Sequence, residues 1–347
     1  MDVLHSAYTS IFSSIGVFAG YSIAAFIGWQ LIKKFILETF RINIEGKTVI
    51  VTGCDSGFGR MAARRLTRHG CLVIAACLMD DSLNQVNEPG TDCEDHTLIH
   101  PLKLNLKSEY SINDFVAKAK EIVEKNNSCL HALVNNAGVM RPGPAEWNQM
   151  VNVRMMMDIH YLGVANLSVK LASLLGASKG RLVGLTSLAA ICPSPFVAAY
   201  GASKAAIDMW YSSLRMENER GFSVHQVTPG SFKTAILSPE SLQNFFDEDW
   251  AKASEEVRSD FGNMYFTEFT RGWTSFLVKN ASPNVDLVRD AIEHAVVGSF
   301  PRDRYLVGWD ARILSVTALI RAGNRSMMKV SGADPRIAVN IPRGLQE

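Results

Sequence analysis

From Ile11 to Ile32 the chain runs 22 residues without a charge and is then stopped by Lys33 and Lys34. At 1.5 Å per helical residue that run covers roughly 33 Å, enough for a hydrocarbon core of about 30 Å, and a lysine near the bilayer centre costs about 3 kcal/mol on insertion scales. The pattern predicts a transmembrane anchor over 11–32, with 1–10 as a lead and 33–45 as a linker. A secretory signal peptide is the rival reading. Against it, the lead holds Asp2 and neither Lys nor Arg, the apolar run is long, and no small-x-small cleavage site follows. A mitochondrial presequence would need arginine, and the first 32 residues have none. Lys33, Lys34 and Arg41 on the carboxyl side place the bulk of the chain in the cytosol by the positive-inside rule. Gly16 and Gly20 have the spacing that packs two such helices, which leaves a homodimer open beside the plainer reading of small residues in an apolar helix.

Beyond the linker, short apolar runs alternate with segments of helical period. Ile42–Val51, Cys71–Cys77, Leu102–Leu106, Leu130–Val134 and Arg181–Leu185 read as strands or their approaches. Met61–His69, Ile112–Lys125 and Asp286–Val297 read as helices. Alternation of this kind predicts an α/β fold, a doubly wound parallel sheet with helices on both faces, over residues 46–324. Ser231–Lys279 departs from the pattern. It is rich in aromatics (Phe232, Phe245, Phe246, Trp250, Tyr265, Phe266, Phe269, Trp273 and Phe276) interleaved with Asp247, Glu248 and Asp249. Amphipathic lid helices over 231–280 have this look, and so do ordinary core positions of helices covering a sheet edge. Ile313–Ile320 is apolar but too short to span a bilayer, so it lies against a membrane or closes a pocket. Residues 325–347 read as a tail.

With 347 residues, 47% of them hydrophobic, the chain can bury a large core, and a formal charge of +1 without a long basic run gives no electrostatic footprint for nucleic acid. Six cysteines, Cys54, Cys71, Cys77, Cys93, Cys129 and Cys192, form no Cys-x-x-Cys pair and read as free thiols in a reducing compartment. His96 and His100 lie near Cys93, but no glutamate follows His96 and the segment leads into a strand, so no metal site is expected.

The candidate chemistry sits at Tyr200-Gly201-Ala202-Ser203-Lys204. Tyr200 and Lys204 are four apart, so on a helix they share a face and can enter one cleft. Bringing a tyrosine from about 10 to near 7 needs roughly 4 kcal/mol, and one ammonium at about 4 Å supplies about that at an effective dielectric near 20. Ser187 stands thirteen residues upstream, where the strand Arg181–Leu185 ends in hydroxyls. Val49-Ile50-Val51-Thr52-Gly53-Cys54-Asp55-Ser56-Gly57-Phe58-Gly59 reads as strand, glycine turn and helix start, the Rossmann-like arrangement that cradles a pyrophosphate.

Together these residues resemble the short-chain dehydrogenase/reductase family. Its Thr-Gly-x-x-x-Gly-x-Gly turn, its Asn-Asn-Ala-Gly (Asn135-Asn136-Ala137-Gly138), its serine before Tyr-x-x-x-Lys and its Pro-Gly (Pro229-Gly230) occur here in order. The resemblance covers roughly Ile44 to Ile320. Cys54-Asp55-Ser56-Gly57-Phe58-Gly59, Ala76-Cys77-Leu78 and the run Tyr305–Arg312 are similar to the retinol dehydrogenase and hydroxysteroid dehydrogenase branch. The branch also includes the similar 3-hydroxybutyrate dehydrogenase.

The resemblance implies hydride transfer between a nicotinamide and an alcohol or ketone. Tyr200 would be the general acid/base, Lys204 would lower its pKa and hold the nicotinamide ribose, and Ser187 would orient the substrate oxygen. Thr52, Gly53, Asp55, Ser56, Gly57, Phe58 and Gly59 would hold the dinucleotide. So would Cys77, Leu78, Asn105, Leu106, Asn136, Ala137, Gly138, Pro229 and Gly230. Asp80 and Asp81, with no cation between Cys71 and Asp81, favour NAD, with NADP left open. The catalytic set of the family adds an asparagine where this chain has His160. A neutral histidine offers a donor and an acceptor and takes a proton near neutral pH, so it either completes the relay or is merely packed and impairs it. Anchor and aromatic insertion suit a lipophilic small molecule, a steroid, a sterol (an ecdysteroid precursor included) or a retinoid. The implied place is the endoplasmic reticulum membrane, with a mitochondrial membrane as the alternative. A cofactor-binding scaffold without turnover is the rival function.

Overall fold

The computed structural model describes residues 18–319 except 19, 23, 30, 34 and 89–94. The lead over 1–10, much of the anchor expected over 11–32, and the tail over 325–347 lie outside the described residues. Residues 20–22, 24–29 and 31–33 are helical, and among the described residues no helix is long and apolar enough to cross a membrane. The chain divides into two compact units. The smaller holds the described residues up to Asn43 together with Val297–Pro301. There Arg41 bridges Gly298 in antiparallel fashion, and Ile42 N–H donates to Val297 O at 2.8 Å.

The larger unit, Ile44–Val296 with the residues from Arg302 on, is built on a seven-stranded sheet in the order β3-β2-β1-β4-β5-β6-β7. The strands are β1 (Thr48–Thr52), β2 (Leu72–Cys77), β3 (Ile99–Lys103), β4 (Leu130–Asn135), β5 (Arg181–Leu185), β6 (Ser223–Pro229) and β7 (Arg304–Val307). Every ladder is parallel. In β1, β2, β4 and β5 every residue is buried, as a sheet covered by helices on both faces requires. Strand order reverses between β1 and β4, which opens the crevice at the carboxyl ends of the strands where α/β sheets bind ligands.

Flanking helices are α1 (Gly57–Leu66), α2 (Asp80–Gln85), α3 (Glu109–Lys125), α4 (Met150–Met157), α5 (Val164–Ala177), α6 (Ala198–Glu217), α7 (Pro239–Ala251), α8 (Glu255–Asn280), α9 (Asp286–Val297) and α10 (Trp309–Leu319). Between α4 and α5 the chain widens into a π turn, Asp158–Gly163. Helix α8 is broken at Gly262, whose φ of 74° no helix interior adopts.

The third strand is a correction. It is Ile99–Lys103, not Leu102–Leu106. Leu104 N–H still donates to Cys77 O at 2.8 Å, but Asn105 O then accepts from Ser108 N–H and the chain turns. Pro101 disguised the strand. With Leu104 N–H aimed at β2, the period-two pleat turns the nitrogen of Pro101 to the open edge, where a missing donor costs nothing. Helix α3 likewise begins before Ile112, because Ser108 Oγ accepts from Ser111 N–H at 3.2 Å and caps it.

The aromatic insertion forms a core of its own. Trp147, Leu242, Phe246, Trp250, Phe269 and Trp273 are buried together, and Trp250 stacks on Phe266 with centroids 4.8 Å apart.

The carboxyl end of α9 is held from the sheet. His131 Nε2 donates to Val296 O and Arg181 Nη1 to Ala295 O, both at 2.9 Å, satisfying carbonyls that a helix end leaves open. Burial pushes His131 down to about 4, and His225 as well. The unfolded chain therefore binds protons below pH of about 6.5 that the folded chain refuses, and stability present above that value is lost as pH falls toward about 4. The urea midpoint of the full chain should drop between about pH 7 and about pH 5, and His131→Gln should flatten part of the slope. An unchanged midpoint across that window would show these rings are free to protonate in place.

Candidate active site

Strand β5 ends at Leu185 and hands the chain to Thr186 and Ser187. Ser187 Oγ accepts from Ala189 N–H at 3.2 Å and caps a short turn over Leu188–Ala190. Helix α6 enters opposite and carries Tyr200, Ser203 and Lys204. Lys204 Nζ donates to Leu185 O at 3.1 Å. Burial pushes the ammonium down to about 8 and pushes the Tyr200 phenol up, while a hydrogen bond with Ser187 pulls the phenol back. Burial dominates both groups, and the ammonium is engaged by a carbonyl.

His160 sits in the π turn and is buried, its ring edge-on to that of Tyr200 with centroids 5.6 Å apart. Burial and the charge of Lys204 push it well below its ordinary value, which favours the neutral ring. Val139 N–H donates to its Nε2 at 3.0 Å, and its Nδ1 lies 2.8 Å from Ser203 Oγ.

The carboxyl ends of β1 and β4 are tied together. Thr52 Oγ1 accepts from Asn136 N–H at 3.0 Å and Ala137 N–H at 3.1 Å, and Asn136 Nδ2 donates to Thr52 O at 2.8 Å. A Cβ on Gly59 would meet Gly53 O at 2.2 Å, whereas one on Gly57, at φ +56°, would meet nothing within 4 Å. Helix α1 therefore packs against the turn on one side and faces open space on the other. Its N-cap Ser56 makes no side-chain cap bond and its first turn holds no acid, so its leading N–H groups are available to an anion. These residues fit a dinucleotide.

The Asp55 carboxylate accepts from Leu78 N–H at 3.0 Å and Met79 N–H at 2.8 Å, which seats it at the end of β2. Cys77 is buried with its thiol pushed up to about 12, and Asn105 Oδ1 accepts from Lys107 N–H at 3.0 Å, with Leu106 buried behind it. Asp80 pairs with Lys103 at 2.5 Å, a cation delivered by the neighbouring strand. Lys103 lies outside the segment Cys71–Asp81, so the local sequence does not place it beside Asp80.

Phe58, Gly138, His160, Ser187, Tyr200, Lys204, Pro229 and Gly230 come together around one cavity of about 610 Å³. Its far walls are Phe232, Ile236, Trp273, Phe276 and Leu277, with Trp309, Ile313 and Leu314 of α10. Asp310 lies in the run Tyr305–Arg312, where the sequence assigns it no role of its own. Its carboxylate accepts from Ser231 N–H at 2.7 Å and Ala311 N–H at 2.9 Å, fastening the Pro229-Gly230 segment to α10. An acid right after a strand and at a helix start was the available signal. Among the described residues no group of His, Cys, Asp or Glu is arranged to hold a metal ion.

The family model described as short chain dehydrogenase matches residues 47–244. The 3beta-hydroxysteroid dehydrogenase dhs-16 of Caenorhabditis elegans is 32% identical over 81% of this chain and 73% of its own. Retinol dehydrogenase 7 of Rattus norvegicus is 32% identical over 82% and 87%. Among solved structures, a short chain dehydrogenase/reductase from Burkholderia phymatum in complex with NAD superposes with a TM-score of 0.62 at 18% identity, over 83% of this chain and 96% of that one. The chain belongs to the short-chain dehydrogenase/reductase family and is an NAD(P)-dependent oxidoreductase of its retinol and hydroxysteroid dehydrogenase-like branch.

Proposed function

We propose that this protein interconverts a lipophilic alcohol and its carbonyl product, of the steroid, sterol or retinoid class, with NAD. The carrying observation is the cavity of about 610 Å³, in which Tyr200, Ser187 and Lys204 meet walls that are otherwise mostly apolar. An apolar slot with a few convergent polar groups suits a greasy substrate held by one oxygen. The relatives named as hydroxysteroid and retinol dehydrogenases support the same class.

In this reading the glycine turn Thr52–Gly59 and the leading N–H groups of α1 hold the pyrophosphate. Asn105 and Leu106 flank the adenine side. Asn136, Ala137, Gly138, Pro229 and Gly230 line the nicotinamide side, and Lys204 holds its ribose. When bound, the nicotinamide accepts or returns the hydride. Ser187 donates to the substrate oxygen. In oxidation the Tyr200 phenolate takes the hydroxyl proton as the carbon loses hydride, and in reduction Tyr200 returns it. Lys204 stabilises the phenolate by its charge.

The carboxylate of Asp55 at the end of β2 favours NAD, because it accepts from a ribose diol and repels a ribose phosphate. The uncharged run over 11–32 supports a membrane anchor, with the catalytic unit on the cytosolic face of the endoplasmic reticulum.

Purified full-length protein incubated with NAD and a panel of sterols, retinoids and 3-hydroxybutyrate should form NADH with one of the lipophilic alcohols. Dinucleotide binding without turnover across the panel would favour the scaffold reading. Tyr200→Phe should lower turnover by at least about a thousandfold while leaving NAD affinity within about twofold, and retained hydride transfer would overturn the assignment. Because burial raises the Tyr200 phenol, oxidation should quicken and reduction slow from about pH 7 to about pH 10. Lys204→Met should push both limbs to higher pH, as measured by initial rates.

A further inference from the structure

His160 stands where the family resemblance places an asparagine, and its surroundings determine the role of each ring nitrogen. A backbone N–H only donates, so the Val139 N–H at 3.0 Å requires a lone pair on Nε2. A neutral imidazole then carries its hydrogen on Nδ1, which faces Ser203 Oγ at 2.8 Å. Ser203 spends its own hydrogen on Tyr200 O at 2.7 Å, so its oxygen is free to accept from Nδ1. One unbroken run of donors follows, from Val139 through His160 and Ser203 to the carbonyl of Tyr200.

We infer that His160 is a positioning residue, a fixed neutral bridge that locks the Tyr200–Lys204 turn of α6 against the loop leaving β4, and that it carries no proton in turnover. The two ring nitrogens point away from each other, so donor and acceptor reach two separate elements. The carboxamide of an asparagine branches both from one carbon. The π turn Asp158–Gly163 supplies the wider backbone that seats the ring. Protonating Nε2 would set N–H against N–H at 3.0 Å and break the run at its start. The groups facing the ring are Tyr200, edge-on, and the Lys204 ammonium, whose positive charge also opposes a second proton.

The role in catalysis rests on the proposed reaction, but the bridge itself has a readout that needs no turnover. In full-length protein carrying nitrogen-labelled histidine, the His160 signals, assigned by their loss in His160→Asn, should show the Nδ1–H tautomer from about pH 6 to about pH 9. An Nε2–H tautomer or an imidazolium in that range would overturn the inference. His160→Asn and Ser203→Ala should each slow turnover about tenfold, the equivalent of one lost hydrogen bond, with NAD affinity unchanged. Because both cut the same run, the double variant should be no slower than the slower single. Independent, multiplying losses would overturn the bridge, as would a wild-type pH limb that vanishes in His160→Asn. An intact tautomer signature with no turnover on any alcohol would instead sink the reaction and leave the bridge standing.

Discussion

A charged ammonium out of water is expensive unless every donor finds an acceptor, and Lys204 imposes that constraint on the surrounding structure. Strand β5 has to stop at Leu185 so that its carbonyl faces the cleft and accepts a hydrogen bond from Lys204 Nζ at 3.1 Å. Helix α6 then has to cross at that point, which puts Tyr200 one turn earlier on the same face and Ser187 across from it. The low-dielectric walls that make Lys204 costly also strengthen every polar contact inside, so the ammonium, though pushed down to about 8, remains charged at neutral pH where a phenolate needs it.

The sequence made the turns and motif-bearing strand ends readable because their chemistry is local. A glycine turn, an Asn-Asn-Ala-Gly and a tyrosine four residues before a lysine each state their own geometry. What stayed hidden depends on distant neighbours. Asp80 looked uncompensated until β3 delivered Lys103. The protonation of His160 is likewise set by burial and the nearness of Lys204, which its place in the sequence does not show. Ser203 carries no sign of a role in the sequence, because nothing in the chain announces that a ring from the π turn will find it.

The aromatic insertion supplies both a core and a cavity wall. Residues such as Phe246 and Phe269 cluster with Trp147 in a buried core apart from the main sheet. Trp273, Phe276 and Leu277 on the last turns of α8 border the cavity. Core and wall are faces of one helix segment, as an amphipathic pattern permits, and a wall backed by stacked rings has little freedom to collapse into the slot.

Pro101 has a consequence beyond hiding a strand. Strand β3 is the outermost on its side of the sheet, and its ring closes the nitrogen that would otherwise point outward from the middle of that rim. Another extended chain arriving there meets a gap in the row of donors it would need, so the border resists recruitment of further strands and, with it, edge-to-edge aggregation.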